Sequence, residues 1–265
     1  RECRSVVIDV KNECLVLCGY KKFFNINEIE ETKIDKIQDK ISTAKNIEIS
    51  DKLDGSMQMA RWYNEMIVLC GSQSLSPELS WRLKDGYRMI RENPGYELML
   101  RDNPHCTFIF EYISLEDAHV VKYKKEQEGL YLIGVRDICT GETWTYSFIR
   151  FIAEYYKIPT VEVFDKPLDQ VMSELDDKSS DEAEGFVIAI DDYRVKIKYN
   201  DYCHIHKALS KLSSINLIIR CIADDTYDDL ISKLPAAYHE DVNKVARIVF
   251  NYIRKTESEI REYYN

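Results

Sequence analysis

Several features that would place a chain at an architectural extreme are missing here. Its 265 residues include only nine glycines and six prolines, which excludes collagen-like and low-complexity sequence. No apolar run is long enough to span a bilayer, and the first residues lack the charged-then-apolar order of a signal peptide. The first residue is Arg1 rather than Met, which leaves room for sequence before it. The eight cysteines are scattered, with no close-set CxxC pairs, so a structural zinc site is not expected. Most sit in apolar runs such as Val68-Leu69-Cys70, where a free thiol packs as a small hydrophobe. A soluble protein in a reducing, cytoplasmic setting is expected. A basic excess is lacking too. The net charge of −10 excludes an all-over basic coat for nucleic acid but leaves room for a local groove holding a short strand end.

The hydrophobic pattern is what remains, with 45% apolar and 31% charged residues, enough for one sizeable domain and a smaller appendage. Alternation through Val6–Val10 and Cys14–Cys18 predicts a β-hairpin, followed by a polar helix or loop over 26–45. Strands are expected over Ile47–Leu53, Ser56–Ala60, Met66–Cys70, Thr107–Ile113 and Gly129–Asp137, with Asn64-Glu65 as a turn. Pro77–Met99 reads as helix broken at Asn93-Pro94-Gly95, and Phe148–Tyr156 and Leu168–Leu175 have helical spacing. A second hairpin joins Glu184–Ile190 to Arg194–Tyr199. Beyond it the alternation stops and helical spacing takes over. The expected fold is α+β: antiparallel β-sheets flanked by helices over residues 1–202, then a small all-α domain over 203–265.

Four short elements carry chemistry. In Lys52-x-Asp54-Gly55-Ser56, a lysine ends a strand just before a glycine that permits a sharp turn. A lysine nitrogen attacking phosphorus must be neutral, and burial and neighbouring charge can tune it so. Taken alone, this segment reads as a surface lysine before a turn. In Phe108-Ile109-Phe110-Glu111-Tyr112-Ile113, a carboxylate interrupts a large apolar run; if buried it needs a hydroxyl, a metal or a cation. Glu184-Gly185-Phe186-Val187-Ile188 again opens an apolar strand with a carboxylate. In Val195-Lys196-Ile197-Lys198-Tyr199, period two puts both lysines on one face. Two such neighbours repel and call for an anion between them, for which a triphosphate is a natural candidate. His204-x-His206 follows without an apparent third ligand and reads as a surface pair.

Order and spacing change the weight of these elements. Lys52 precedes Glu111 by 59 residues, Glu184 follows 73 later and Lys196 lies 12 beyond. The series resembles motifs I, III, IV and V of the covalent nucleotidyltransferases, which comprise DNA ligases, RNA ligases and mRNA capping enzymes. Leu130–Asp137 sits where that superfamily has motif IIIa. Glu2-Cys3-Arg4 and Lys21-Lys22-Phe23-Phe24-Asn25, both upstream of Lys52, look like the RNA ligase 1 family, the phage type that repairs broken tRNA. The resemblance covers roughly residues 1–202.

That resemblance implies ATP as substrate, Mg²⁺ or Mn²⁺ as cofactor, and RNA ends bearing 5′-phosphate and 3′-hydroxyl, tRNA among them, as partners. It implies Lys52 as the adenylated nucleophile, with Asp54 and Gly55 beside the nucleotide. Arg4, Lys22, Lys196 and Lys198 would reach phosphates, with Tyr202 the family's functional tyrosine after motif V. Glu184 would hold the metal, Glu111 the ribose or a metal, and Ile133 and Val187 would sandwich the adenine. The region after motif I, Gly71-Ser72-Gln73-Ser74, lacks the basic residue that some relatives carry there. A DNA ligase or capping-type enzyme is the rival within the superfamily. A non-catalytic RNA-binding, nucleotidyltransferase-like module is the rival of another class.

Overall fold

A computed structural model of the chain describes residues 5–117, 119–212, 215–234 and 236–264. The first alternating residues form an antiparallel hairpin of β1 (Val6–Asp9) and β2 (Cys14–Cys18). Asp9 closes its turn by accepting from the backbone N–H groups of Lys11 and Asn12. The polar stretch after it is both loop and helix: an extended crossing segment through Phe24, then α1 (Ile34–Thr43) with Ile37 buried. β3 (Ile47–Lys52), β4 (Ser56–Tyr63) and β5 (Met66–Gly71) follow. Asn64 and Glu65 both take positive φ, the geometry that suits a two-residue hairpin turn.

Next come α2 (Trp81–Glu92) and α3 (Pro94–Asp102). Asn93 breaks the run as expected: its side chain caps α3 through Gly95 N–H while Pro94 occupies the first helical position. β6 (Cys106–Ile113), β7 (Gly129–Asp137) and α4 (Tyr146–Tyr156) then precede β8 (Val163–Phe164). That two-residue strand is too short to leave an alternation in the sequence. After it come α5 (Leu168–Ser173), β9 (Gly185–Ile190) and β10 (Tyr193–Lys198). The chain then turns helical: α6 (Asn200–Leu212), α7 (Ile215–Ala223), α8 (Tyr227–Lys233) and α9 (Ala236–Tyr264).

Two four-stranded antiparallel sheets result, ordered β10-β9-β3-β8 and β5-β4-β6-β7. Phe108, Phe110 and Tyr112 of the second sheet pack against Met99, Leu100 and Ile149 of the helices. Ile49, Ile188, Val195 and Ile197 of the first sheet pack with Ile37 of α1 and with Tyr202 and Ile205 of α6. The β1–β2 hairpin covers part of the second sheet's other face, and Arg61 fixes it by donating to the carbonyls of Leu15 and Val16. The first sheet's remaining face is turned toward the second, and there the polar residues collect. α7–α9 share a small core of their own, around Ile218, Leu234, Val242 and Ala246. The expected boundary at 202/203 therefore falls inside α6, because Tyr202 and Ile205 belong to the sheet's core.

Gly185 starts β9 at φ +149°, where an added Cβ would lie 2.0 Å from the Ile197 carbonyl oxygen. That oxygen belongs to the paired strand and cannot step aside. Gly185→Ala is expected to cost about 3 kcal/mol through backbone strain and overpacking, read as a lower midpoint in urea unfolding; an unchanged midpoint contradicts it.

Candidate active site

Directly opposed residues of an antiparallel pair share a face, so the register of β3, β9 and β10 lays out the polar face in rows. Lys52, Gly185 and Lys198 form one row. Ser50, Val187 and Lys196 form the next, and Glu48, Ala189 and Arg194 the third. Gly185 has no side chain, which leaves a gap between the two lysines that flank it. Glu184 fills that gap: Lys52 Nζ lies 2.7 Å from its Oε2, and Lys198 Nζ 2.8 Å from its Oε1. The carboxylate is buried, and the lysines are 19% and 15% exposed.

The electrostatics follow from this packing. Burial alone would lower the pKa of Lys52, but Glu184 and Glu111 outweigh it and the ammonium is held above its usual range. Lys196 goes the other way, lowered by burial and by the neighbouring charges of Lys52 and Lys198. Among the described residues Lys196 has no ion pair, and its Nζ lies 5.8 Å from the Phe23 ring centroid. The face thus carries more cationic than anionic groups and favours a polyanion.

Glu111 arrives from the opposing sheet. Its Oε1 accepts from Gly55 N–H at 3.0 Å, and a Cβ on Gly55 would meet the Tyr112 carbonyl oxygen at 2.5 Å. The glycine is therefore required for the turn to close on β6. Burial pushes the Glu111 carboxyl up to about 7, with Lys52 pulling it down and Glu184 pushing it further up. Glu111 and Glu184 offer the hard oxygen donors that Mg²⁺ or Mn²⁺ prefers, and a carboxyl held this far up gains most from a nearby cation. Two protein ligands suit an ion that completes its shell with phosphate oxygens and water.

Asp54 and Tyr202, expected among the nucleotide contacts, direct their polar atoms at the protein instead. Asp54 Oδ2 accepts from Val120 and Val121 N–H, and Oδ1 accepts from the Tyr202 hydroxyl at 2.9 Å. The ring of Tyr202 lies under Lys198, 4.8 Å from Nζ to centroid. Both residues therefore brace the lysines from behind. Tyr123, which accepts from Asp54 N–H at 2.8 Å, left no sequence signal because it sits in a loop. Arg194 did leave one, since Arg194-x-Lys196-x-Lys198 continues the period-two face.

Val187 lies in the lysine face, and Ile133 is the extra residue of a β-bulge in β7, where Ile109 pairs with Gly134 and Phe110 with Leu132. The Ile133 carbonyl accepts from the Tyr20 hydroxyl at 2.9 Å, and the Arg194 guanidinium covers the Tyr20 ring at 4.1 Å. Lys22 is exposed on the crossing segment, which joins β10 through Lys196 N–H to Phe24 O and Ile26 N–H to Lys196 O. With Tyr20, Phe23, Arg136 and Arg194 it lines a cavity of about 430 Å³. Arg4 lies outside the described residues.

Two antiparallel sheets thus close on a strand-end lysine, flanked by a carboxylate and by lysines of a later hairpin, in an α+β fold. A family model described as RNA ligase matches residues 2–202. The chain belongs to this RNA ligase family. A protein of Thermovibrio ammonificans named "Putative RNA ligase" is 27% identical over 243 residues, covering 86% of this chain and 60% of the relative. Among solved structures, a mutant Naegleria gruberi RNA ligase with ATP and Mn aligns with a TM-score of 0.53 at 16% identity, covering 71% of this chain and 58% of that one. The Naegleria gruberi RNA ligase with PPi aligns with the same TM-score and coverage at 17% identity. The chain thus spans about three fifths of the relatives it matches.

Glu111 sets a pH test. Its folded pKa near 7 exceeds the ordinary value of 4.5, so between these values the folded state keeps a proton that the unfolded chain has lost. Stability therefore falls as pH rises through that window. Glu111→Gln cannot ionise and is expected to melt higher than the parent at about pH 8, by on the order of 2 kcal/mol, with the gap closing toward about pH 4.5. A gap independent of pH contradicts this origin.

Proposed function

We propose that the chain is an ATP-dependent RNA ligase that joins 5′-phosphate and 3′-hydroxyl ends through a lysyl-AMP on Lys52 and an adenylated RNA end. Residues 1–202 act as the adenylyltransferase unit, with the helices of 203–265 as a second unit. The observation that carries this reading is the Lys52–Glu184–Lys198 arrangement, a nucleophile candidate and a phosphate-binding cation held on one buried carboxylate.

Lys52 Nζ attacks the α-phosphorus of ATP, forming a P–N bond as the P–O bond to pyrophosphate breaks. In the resting protein Lys52 is charged and paired, so its proton must leave first. Drawing Glu184 away from Lys52 lowers the ammonium's pKa toward the neutral, attacking form. Glu184 and Glu111 would hold a divalent cation, which would supply charge neutralisation at the phosphate oxygens. Lys196 and Lys198 stand ready for the α-phosphate, with Lys22 and Arg4 assigned to the outer phosphates and Val187 and Ile133 to the adenine. The adenylate then passes to an RNA 5′-phosphate, and a 3′-hydroxyl displaces AMP. Breaks with other end groups, as in cleaved tRNA, need a kinase and a phosphatase to prepare them. The setting proposed is the cytoplasm. No helix among the described residues is long and apolar enough to cross a membrane.

The test is the intact mass after incubation with Mg²⁺ and either ATP or GTP. The parent should gain one adenylate from ATP and nothing from GTP, Lys52→Ala should gain none, and Lys198→Ala should react about 100-fold more slowly. Sealing of nicked RNA in preference to nicked DNA completes it. An unchanged mass with ATP ends the enzyme reading, and label from GTP points to a capping-type enzyme.

A further inference from the structure

The adenylation step accounts for the lysines of the inner face but leaves one side chain at their edge without a task. His206 lies one helical turn beyond Tyr202 on α6, and the two rings stack with centroids 5.8 Å apart and planes 21° from parallel. Tyr202 in turn backs Lys198 and bonds Asp54. The stack brings His206 within electrostatic range of Lys198, Glu184, Asp54 and Lys52. Tyr202 is buried, whereas His206 is exposed, and its ring nitrogens make no hydrogen bond to described residues.

His204 does not share this position. Two residues along a helix turn by about 200°, and His204 lines a different cavity with Lys122, Asp181 and Ser232. The pair therefore does not converge on a metal. His206 alone is held flat, by stacking on the tyrosine that lies under Lys198, and open to solvent. Partial loss of water around the ring and the nearby charge of Lys198 lower its pKa, so near neutral pH the ring has one N–H to donate and one nitrogen to accept.

We propose that His206 receives the RNA end, donating its ring N–H to a 5′-phosphate oxygen as that phosphate approaches the lysyl-AMP from the open side. The assignment rests on the ligase reading and specifies its second step. In that step a 5′-phosphate oxygen attacks the adenylate phosphorus, and a P–O bond forms as the P–N bond to Lys52 breaks. Nζ leaves with the electron pair and takes a proton from water. His206 is a binding group for the incoming phosphate and takes no part in the attack on ATP.

The test separates the two steps. The parent, His206→Ala, His206→Phe and His206→Gln are loaded with ATP and Mg²⁺, and the lysyl-AMP is followed by intact mass. Each loaded protein is then mixed with 5′-phosphorylated RNA in a single turnover. All four should load at comparable rates. His206→Ala and His206→Phe should then transfer AMP about 10- to 100-fold more slowly, the loss of one hydrogen bond to a charged group. His206→Gln, which keeps a donor, should recover most of the rate. Three results overturn the assignment: full transfer by every variant, rescue by His206→Phe, which retains only the stack, or loading that falls in parallel with transfer. A parent that fails to load contradicts the ligase reading itself and is seen before RNA is added.

Discussion

Glu184 holds the ammonium groups of Lys52 and Lys198 within 2.8 Å of its two oxygens, and much of the surrounding backbone is shaped by that demand. A buried carboxylate is tolerable only where both its oxygens are matched, and here two ammonium groups match them and leave a net positive charge for an anion. The missing side chain at Gly185 gives the carboxylate its room. Tyr202 closes the cluster from below, and Asp54 fixes Tyr202. A break in any of these links strands a charge away from water. The same pairing leaves the nucleophile protonated at rest, so reactivity waits for a ligand that competes for Glu184. A polyanion with its metal is such a ligand, because it offers the lysines new anionic partners and the carboxylate a new cation.

Residues whose chemistry is tied to a strand period were legible in the sequence. Lys196 and Lys198 fall on the face expected of them, and Lys52 ends the strand expected to present it. Glu111 and Glu184 stood out because a carboxylate inside an apolar run needs a partner, and both have one. Long-range closure was not legible. Asp54 meets Val120, Val121, Tyr123 and Tyr202 across 66 to 148 residues of chain, and such pairings leave no periodic trace. The role of Tyr202 is the instructive case. Its position relative to the lysines was visible, but its burial and its hydroxyl's partner depend on how α6 docks under the sheet.

Most of the fold could be read for the same reason. Hairpins announce themselves locally, and the Asn64-Glu65 turn and the Asn93-Pro94 helix break are where local chemistry puts them. β8 was set instead by packing. Val163 and Phe164 become a strand only because β3 offers them an edge. α6 begins in the sheet's core although its sequence has the texture of the helices beyond it.

The crossing segment from Tyr20 to Ile26 has a mechanical consequence. It is bonded to β7 through the Tyr20 hydroxyl and to β10 through Phe24 and Ile26, so it straps the two sheets together along one edge of the cleft. Along that edge the gap has a fixed width. A second tie joins the same strand β7 to β3, through Leu132 N–H to Pro159 O and Asp51 N–H to Glu162 O. The strap also carries Lys22, so one cationic arm of the cleft rides on the piece of chain that fixes the spacing of its sheets.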